Sequence, residues 1–439
     1  MEYNGYPQKI PTASGAAMTA IIDATHAAAF RTLWGMSLLE RNLRLAERLG
    51  AVRIHLLSSP QDEERASVRR FPGICTAQVH TLEGDALSLV GQLVDRACGP
   101  VLLLEAQVVY DRRLIGALWS LSVPAIIAGD QVEAVPLLVD ASSRALLKGE
   151  SWGARAARFL AQDGISTLAP EDVERHIAAS RKTVVPRIIR VEDEAAQERA
   201  DRYLKDLAGK GVNDLMAEFV HPPIEFFLTR LAARTRITPN QVSYFNALLN
   251  IAAVPLIFFG WLWMGIACNL MRGVTDGVDG KLARLTLRES KGGDRIDHVI
   301  DRLYLPAFFV ALGWHLGGGD WLSSPMLAMY LLQVFYWTNR LLAAWFANFV
   351  GASSGDFRPL DRLVRRIWPK RNICVLLLLI SMLFNAPLYG LWAMAGLSGS
   401  MVLYRSARLD WEARRLQRER SQAAERGDFK TASKPGCRL

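Results

Sequence analysis

DGVDGKLARLTLRESKGGDRIDHVID, residues 276–301, is the stretch from which the rest of the chain is read. Four carboxylates stand out in it: Asp276 and Asp279 three residues apart, Asp297 and Asp301 four apart. On a helix both spacings put the side chains on one face. Gly280, Ala283 and Arg284 follow the first pair on much the same face, and Gly293 lies one turn before Asp297. Long apolar runs flank the block on both sides. The carboxylates therefore belong at the mouth of a membrane bundle, where ionisable groups are costly and usually functional. Among the basic residues only Arg272 stands at a helical i, i+4 spacing from one of the four. A divalent cation offsets such a cluster. Mg2+ takes carboxylate oxygens and leaves positions for a substrate phosphate, and two ions can share four carboxylates, as in two-metal phosphoryl transfer. Glycine inside a helix costs about 1 kcal/mol against alanine, so Gly280 points to a packing or ligand requirement.

The pattern D-x2-D-G-x2-A-R-x8-G-x3-D-x3-D resembles the signature of the CDP-alcohol phosphotransferases. Every specified position is filled, by Asp276, Asp279, Gly280, Ala283, Arg284, Gly293, Asp297 and Asp301. An acidic loop between two spans would not need the glycines and the alanine in register.

The 439 residues are 51% hydrophobic with a net charge of +9. A basic balance alone fits a nucleic-acid binder, but Arg and Lys cluster just outside apolar segments, the positive-inside pattern, and no aromatic–basic platform accompanies them. The five cysteines are scattered, with no metal-ligand spacing. They read as thiols of a reducing compartment. The first residues, polar and punctuated by Gly and Pro, do not form a signal peptide, which keeps the first domain in the cytoplasm.

After a flexible lead (1–18), residues 19–191 alternate strand-like and helix-like runs. The strands are Thr19–Ala24, Val52–Ser58, Pro100–Ala106, Val123–Gly129 and Ala134–Asp140, with helices at Ser37–Gly50 and Asp85–Ala97. This alternation predicts an α/β domain with a mostly parallel sheet. The order of its pieces resembles a sugar-type nucleotidyltransferase. That family's first loop is glycine-rich, so that backbone N–H groups cradle a triphosphate. Here the loop runs from Ala24 to Arg31 without glycine, and Glu105 and Gln107 stand where the family has a metal-binding Asp. The domain reads as nucleotidyltransferase-like and inactive, with His26 and Arg31 on a surface loop and His55 and His80 as packed or edge histidines. An unrelated α/β regulatory domain is the alternative.

Residues 192–236 read as a charged linker followed by an interfacial amphipathic helix (Ile224 to about Thr235) carrying Phe226, Phe227 and Leu231. Residues 237–408 then predict an all-α membrane domain of about six transmembrane helices. They run near 242–261, 264–285, 294–316, 325–350, 373–384 and 387–404. A charged tail (409–439) follows. The turns at 259–265 and 384–390 hold no charge, whereas Arg284, Arg288, Lys291, Arg362, Arg365, Arg366, Lys370, Arg371 and the tail arginines lie on the other side. That asymmetry puts both termini and the motif on the cytoplasmic face of the inner membrane.

The resemblance, which covers residues 237–405, implies transfer of a phospho-alcohol from a CDP-alcohol to an acceptor hydroxyl, with CMP leaving. It implies that Asp276, Asp279 and Asp297 hold two Mg2+ or Mn2+ ions, with Asp301 as general base and also within reach of a metal. Arg284 would contact phosphate or fix the carboxylates, and Gly280, Ala283 and Gly293 would form a close wall for cytidine. Arg340, inside an apolar span, is a candidate for the acceptor phosphate, joined by Arg302, Lys370 and Arg371, unless it snorkels or pairs with a motif carboxylate. His298 lies at a position the signature leaves free, and His315 reads as structural. The two-domain arrangement resembles bifunctional enzymes that make CDP-inositol and then di-inositol phosphate phosphate, which favours an inositol-phosphate-type product. A phospholipid synthase using CDP-diacylglycerol and a non-catalytic membrane scaffold are the alternatives. Expected partners are the two alcohol substrates and the bilayer, with no nucleic acid; family members are often homodimers.

Overall fold

The computed structural model describes residues 18–67, 74, 77–81, 86–97, 99–121, 123–128, 134–147, 152–162, 164–177, 180–211, 214–235, 237–288, 291–350 and 359–425, with 291–301 by their backbone alone. The lead, the last residues of the tail and Cys75, Cys98 and Cys437 lie outside the described residues. The chain divides into two units. One is built from residues 1–211, 230–236 and 281–289, the other from 212–229, 237–280 and 290–439.

The first unit runs β1 (Met18–Asp23), β2 (Thr32–Leu33), β3 (Met36–Ser37), α1 (Leu38–Arg48), β4 (Ala51–Ser58), α2 (Glu63–Ala66), β5 (Ala77–Thr81), α3 (Ala86–Arg96), β6 (Val101–Glu105), β7 (Val108–Tyr110) and α4 (Arg112–Trp119). It continues with β8 (Ala125–Ile127), β9 (Leu137–Val139), α5 (Trp152–Ala161), β10 (Ser166–Leu168), β11 (His176–Ile177), β12 (Lys182–Thr183), β13 (Ile188–Arg190) and α6 (Glu194–Ala208). Seven strands make one sheet in the order β10-β8-β9-β6-β1-β4-β5. Only β9 runs antiparallel to its neighbours, so the mostly parallel sheet read from the alternation is present. Successive residues of a strand point to opposite faces. Ala20 and Ile22 accordingly join one buried layer, with Leu43, Ile54 and Leu104, and Ile21 joins the other, with Leu57, Leu103 and Phe159. His55 and His80 meet across β4 and β5, ring nitrogens 2.9 Å apart. α6, read from its charges as a solvated linker, buries Ala196, Ala200, Tyr203, Leu204 and Ala208. Its charges occupy the face opposite that stripe, the ordinary arrangement of an amphipathic helix.

The second unit is helical. α7 (His221–Ala233) follows a π-helical turn at Met216–Val220, and then come α8 (Pro239–Phe258), α9 (Leu262–Thr286), α10 (Lys291–Leu316), α11 (Ser324–Val350), α12 (Pro359–Arg366), α13 (Arg371–Leu383) and α14 (Pro387–Glu425). α8 begins with a capping box, in which Thr238 and Gln241 satisfy each other's backbone N–H groups around Pro239 in the first turn. Its core holds Ala253, Ile257, Phe308, Leu312, Met326, Leu332, Leu378 and Met394. The outside is apolar too: Leu248, Ile251, Val334, Leu341, Trp345 and Leu403 are exposed. α7 reverses the usual pattern of a surface helix. It buries His221, Glu225 and Thr229 and exposes Ile224 and Phe227.

Among the described residues one helix, Pro239–Phe258, is long and apolar enough by length and composition to cross a membrane, and Arg371–Leu383 is a shorter apolar helix. The other expected spans exist as helices near their expected bounds but fail that test. α9 and α10 carry the charged motif, α11 is diluted by Tyr, Trp, Gln and Asn, and α14 runs on into the charged tail.

Candidate active site

Asp276 and Asp279 lie in the third quarter of α9 and reach different neighbours. Arg272, one turn earlier and wholly buried, places Nη1 3.3 Å from Asp276 Oδ1. Arg371, the first residue of α13, brings Nη2 to 3.9 Å from Oδ2 of the same carboxylate. Asp276 is thus held between two cations, one of which its i, i+4 spacing anticipated. Asp279 faces α8: its Oδ2 accepts from Ser243 Oγ at 2.8 Å and from Asn246 Nδ2 at 3.3 Å. The Asn246 carbonyl oxygen in turn accepts from Thr275 Oγ1. Asp276 thus faces guanidinium groups and Asp279 faces hydroxyl and amide donors.

A further wall comes from α7. The Glu225 carboxylate lies against Gly277: a β-carbon there would stand 2.0 Å from it. His221, one turn earlier, lies against Gly273, with 3.2 Å between its ring and the corresponding position, and its Nδ1 is 3.8 Å from Glu225 Oε1. Burial pushes His221 below the usual histidine range, outweighing the pull of the Glu225 and Asp214 carboxylates. Asn372, next to Arg371, donates to Asp214 Oδ1 at 3.1 Å and ties the start of α13 to the segment before α7. We expect Gly277→Ala to lower stability by roughly 1–3 kcal/mol through overpacking. Adding Glu225→Ala to it should recover most of that loss in a thermal-unfolding cycle; a silent single variant would mean that α7 does not pack here.

The remaining motif residues fall as follows. The side chains of Gly293, Asp297, His298 and Asp301 lie outside the described residues, although their backbone is the first turns of α10. Gly280 and Ala283 are half-buried on α9. Arg284, in the last turn of α9, belongs to the first unit and donates from Nε to the Ala208 carbonyl at 3.0 Å. Among the described residues no group of three or more His, Cys, Asp or Glu side chains converges; two of the four motif aspartates are not among them. The donors that are described, carboxylate oxygens backed by hydroxyl and amide groups, fit a hard divalent cation.

Arg340 is exposed on α11, beside the Tyr336 ring. Of its expected companions, Arg371 goes to Asp276. Arg405 instead stands within electrostatic reach of both Arg340 and the buried Arg365. Arg405 stacks on Trp368 at 3.6 Å and donates to the Asn339 carbonyl. The sequence reading did not single out Ser243, Asn246, His221, Glu225 or Arg405 as site residues. The available signal was polar residues punctuating apolar helices, as in QVSYFNALLN (241–250).

The first unit has its own crevice, where the sheet changes direction between β1 and β6, the place where open α/β sheets take ligands. Asp23 and Glu105 are register partners at the carboxyl ends of those strands. Glu105 is buried, with Oε1 accepting from Arg190 at 2.6 Å and Oε2 from Gln107 at 2.8 Å. The loop after β1 closes on itself: His26 Nδ1 accepts from Ala28 N at 3.2 Å, and Arg31 reaches Gln197. Burial outweighs Arg190 and holds the Glu105 carboxyl up at about 7. A raised carboxyl favours the fold below its unfolded value, and that contribution is lost as pH rises to 7. The Tm advantage of wild type over Glu105→Gln should therefore shrink between pH 5 and pH 7.5, by the equivalent of about 2–3 kcal/mol. A widening gap would mean that Arg190 prevails over burial.

Comparison with known proteins gives the chain several relatives. The bifunctional IPC transferase and DIPP synthase of Aquifex aeolicus is 30% identical over 153 residues, 34% of this chain and 35% of that one. The chain matches between 35% and 42% of the length of the first three such relatives. Among solved structures, the phosphatidylinositol phosphate synthase of Mycobacterium tuberculosis with CDP-DAG bound aligns with 43% of this chain and 93% of its own, at 21% identity and a TM-score of 0.33. The inositol-1-phosphate CTP transferase of T. maritima aligns with 35% of this chain and 86% of its own, at 12% identity and a TM-score of 0.29. Residues 236–403 match the family described as CDP-alcohol phosphatidyltransferase. The C-terminal half of the chain accordingly carries a CDP-alcohol phosphatidyltransferase domain.

Proposed function

We propose that the helical unit is a membrane enzyme that moves a phospho-alcohol from a CDP-alcohol to an acceptor hydroxyl and releases CMP. The observation that carries this reading is the pair Asp276 and Asp279, held on one helix beside Arg272, Arg371, Ser243 and Asn246, at the residues that fill the family signature. The apolar exterior of the unit supports six spanning helices, α8–α11, α13 and α14. The charge asymmetry supports a cytoplasmic active site and termini.

Asp276, Asp279 and Asp297, with Asp301 within reach, would hold two Mg2+ or Mn2+ ions. When bound, such ions neutralise a diphosphate and make its phosphorus more electrophilic. The chain's own groups do the rest. Asp301 takes the proton of the acceptor hydroxyl. The acceptor oxygen bonds to the phosphorus that carries the alcohol, the bridging P–O bond of the diphosphate breaks, and CMP departs with that electron pair. Gly280, Ala283 and Gly293 leave room for the cytidine. Arg340, with Arg365 and Arg405, receives an acceptor phosphate, since clustered guanidinium groups favour a doubly charged anion.

An inositol-phosphate-type product is the reading for the substrates, with CDP-inositol as donor and an inositol phosphate as acceptor. It is supported by the names of the relatives and by the fused α/β unit. That unit reads as nucleotidyltransferase-like without nucleotidyl transfer, because its switch-point carboxylate is spent on Arg190 and Gln107. CMP release by the purified protein with Mg2+ tests the whole. Activity with CDP-inositol is expected. Activity only with CDP-diacylglycerol would make the protein a phospholipid synthase, and silence with both donors and with inositol or glycerol phosphate would favour a scaffold. Arg340→Ala should raise the KM for a phosphorylated acceptor roughly tenfold or more and leave the KM for the CDP-alcohol unchanged.

A further inference from the structure

The first unit contains a cavity of about 90 Å³ that the proposed reaction does not use. Arg41 of α1, Arg112 and Arg113 of α4, and Arg284 line it, against one carboxylate, Asp111. Asp111 is already committed: Arg113 holds it at 2.7 Å, and Tyr203 Oη donates to it.

Arg41 is the informative residue. Its side chain is buried, at 7% exposure. Among the described residues its polar partner is a single backbone oxygen, that of Leu285, which accepts from Nη1 at 2.6 Å. A guanidinium has five N–H donors, and no carboxylate neutralises this one among the described residues. Burial pulls its pKa down to about 10, so it remains charged at neutral pH. A buried charge without a counter-charge is among the more expensive features a fold can carry. A fold that keeps one beside a cavity lined by three further arginines is built to receive an anion.

We propose that this cavity binds a phosphate-bearing anion through Arg41, with Arg112 and Arg284 completing the cradle. Phosphate fits better than a carboxylate. It presents two negative charges and several acceptor oxygens to converging guanidinium forks, and the volume holds the equivalent of about three waters, room for one phosphate group. The ligand would touch Arg284 and Leu285, the last turn of the helix that bears Asp276 and Asp279. This inference does not rest on the transferase reading.

The test is equilibrium dialysis of radiolabelled inorganic phosphate against the full chain in detergent free of anionic lipid, after gel filtration confirms a monodisperse protein. Wild type should retain phosphate, and Arg41→Leu should weaken that binding tenfold or more. Arg41→Lys should keep part of it, because the charge survives without the fork. Arg340→Ala, which disables the acceptor side of the helical unit, should leave the Arg41-dependent class intact. Should Arg41→Leu fail to fold, the half-buried Arg112→Ala replaces it with the same expectation in direction. Displacement by glycerol phosphate would assign the site to a soluble phosphate ester, and displacement only by phosphatidic acid in mixed micelles to a lipid headgroup. No phosphate retained by wild type, or equal retention by wild type and the Arg41 and Arg112 variants, would overturn the proposal. Neither result would bear on CMP release.

Discussion

Asp276→Ala is expected to abolish CMP release and binding of the CDP-alcohol together, whereas Asp301→Asn should stop turnover and leave binding near normal. The two changes separate charge neutralisation from proton transfer. Asp276 belongs to the proposed cation-binding set, and loss of a group that stabilises transition-state charge costs about a hundredfold or more in rate. A binding assay with the CDP-alcohol, with and without Mg2+, then decides between two sources of positive charge. Arg272 and Arg371 flank Asp276, so Asp276→Ala leaves two cations beside the vacated position. If the variant still binds the CDP-alcohol without Mg2+, the arginines rather than a divalent ion neutralise the diphosphate. Asp301→Asn keeps the shape and removes the base. Near-normal turnover by that variant would assign the base elsewhere.

Arg272→Met is expected to give the largest loss of stability. Arg272 has no solvent exposure, and its guanidinium stands 3.3 Å from Asp276. Removing one member of a buried ion pair costs roughly 3–5 kcal/mol when the other is left without a counter-charge, and Asp276 keeps Arg371 at 3.9 Å. Asp276 keeps some access to solvent, which puts the expectation near the lower end, about 3 kcal/mol, a fall in Tm of the order of 10 °C. Pairing the change with Asp276→Asn should restore part of the loss, because the carboxylate charge goes with its nearer partner, whereas Arg371 gives up its contact with it. A Tm unchanged by Arg272→Met would mean that the cation serves the substrate and not the fold. CMP release measured on the same samples below the lowered Tm separates the two roles.

The helices of the second unit were legible because apolar runs, uncharged turns and proline or glycine boundaries recur at the length of a span. Arg272 beside Asp276 followed from helical spacing alone. The contacts of Asp279 did not. Ser243 and Asn246 lie more than thirty residues earlier on α8, and local periodicity cannot say which polar residues of two helices will meet. Glu225 was hidden for a different reason: α7 turns its polar side inward, so the rule that sends charges to the surface pointed the wrong way. In the first unit the strand order is long-range, whereas the strands and α1 announce themselves locally. The stripe of α6 was obscured by its many charges, since alanines contribute little to an apolar pattern yet pack closely once Tyr203 anchors them to Asp111. The missing glycines of the loop after β1 were visible from the start. That Arg190 would close on Glu105 from 85 residues away was not.

The contact between Glu225 and Gly277 also bears on how this chain can evolve. With the Glu225 carboxylate in its present place, a β-carbon at 277 would stand 2.0 Å from it, so a larger residue there requires that side chain to move. A lineage that acquires alanine or serine at 277 must turn the carboxylate at 225 aside or shorten that residue. The two positions, 52 apart in the chain, are therefore expected to covary across related sequences, with large acidic residues at 225 restricted to lineages that keep glycine at 277.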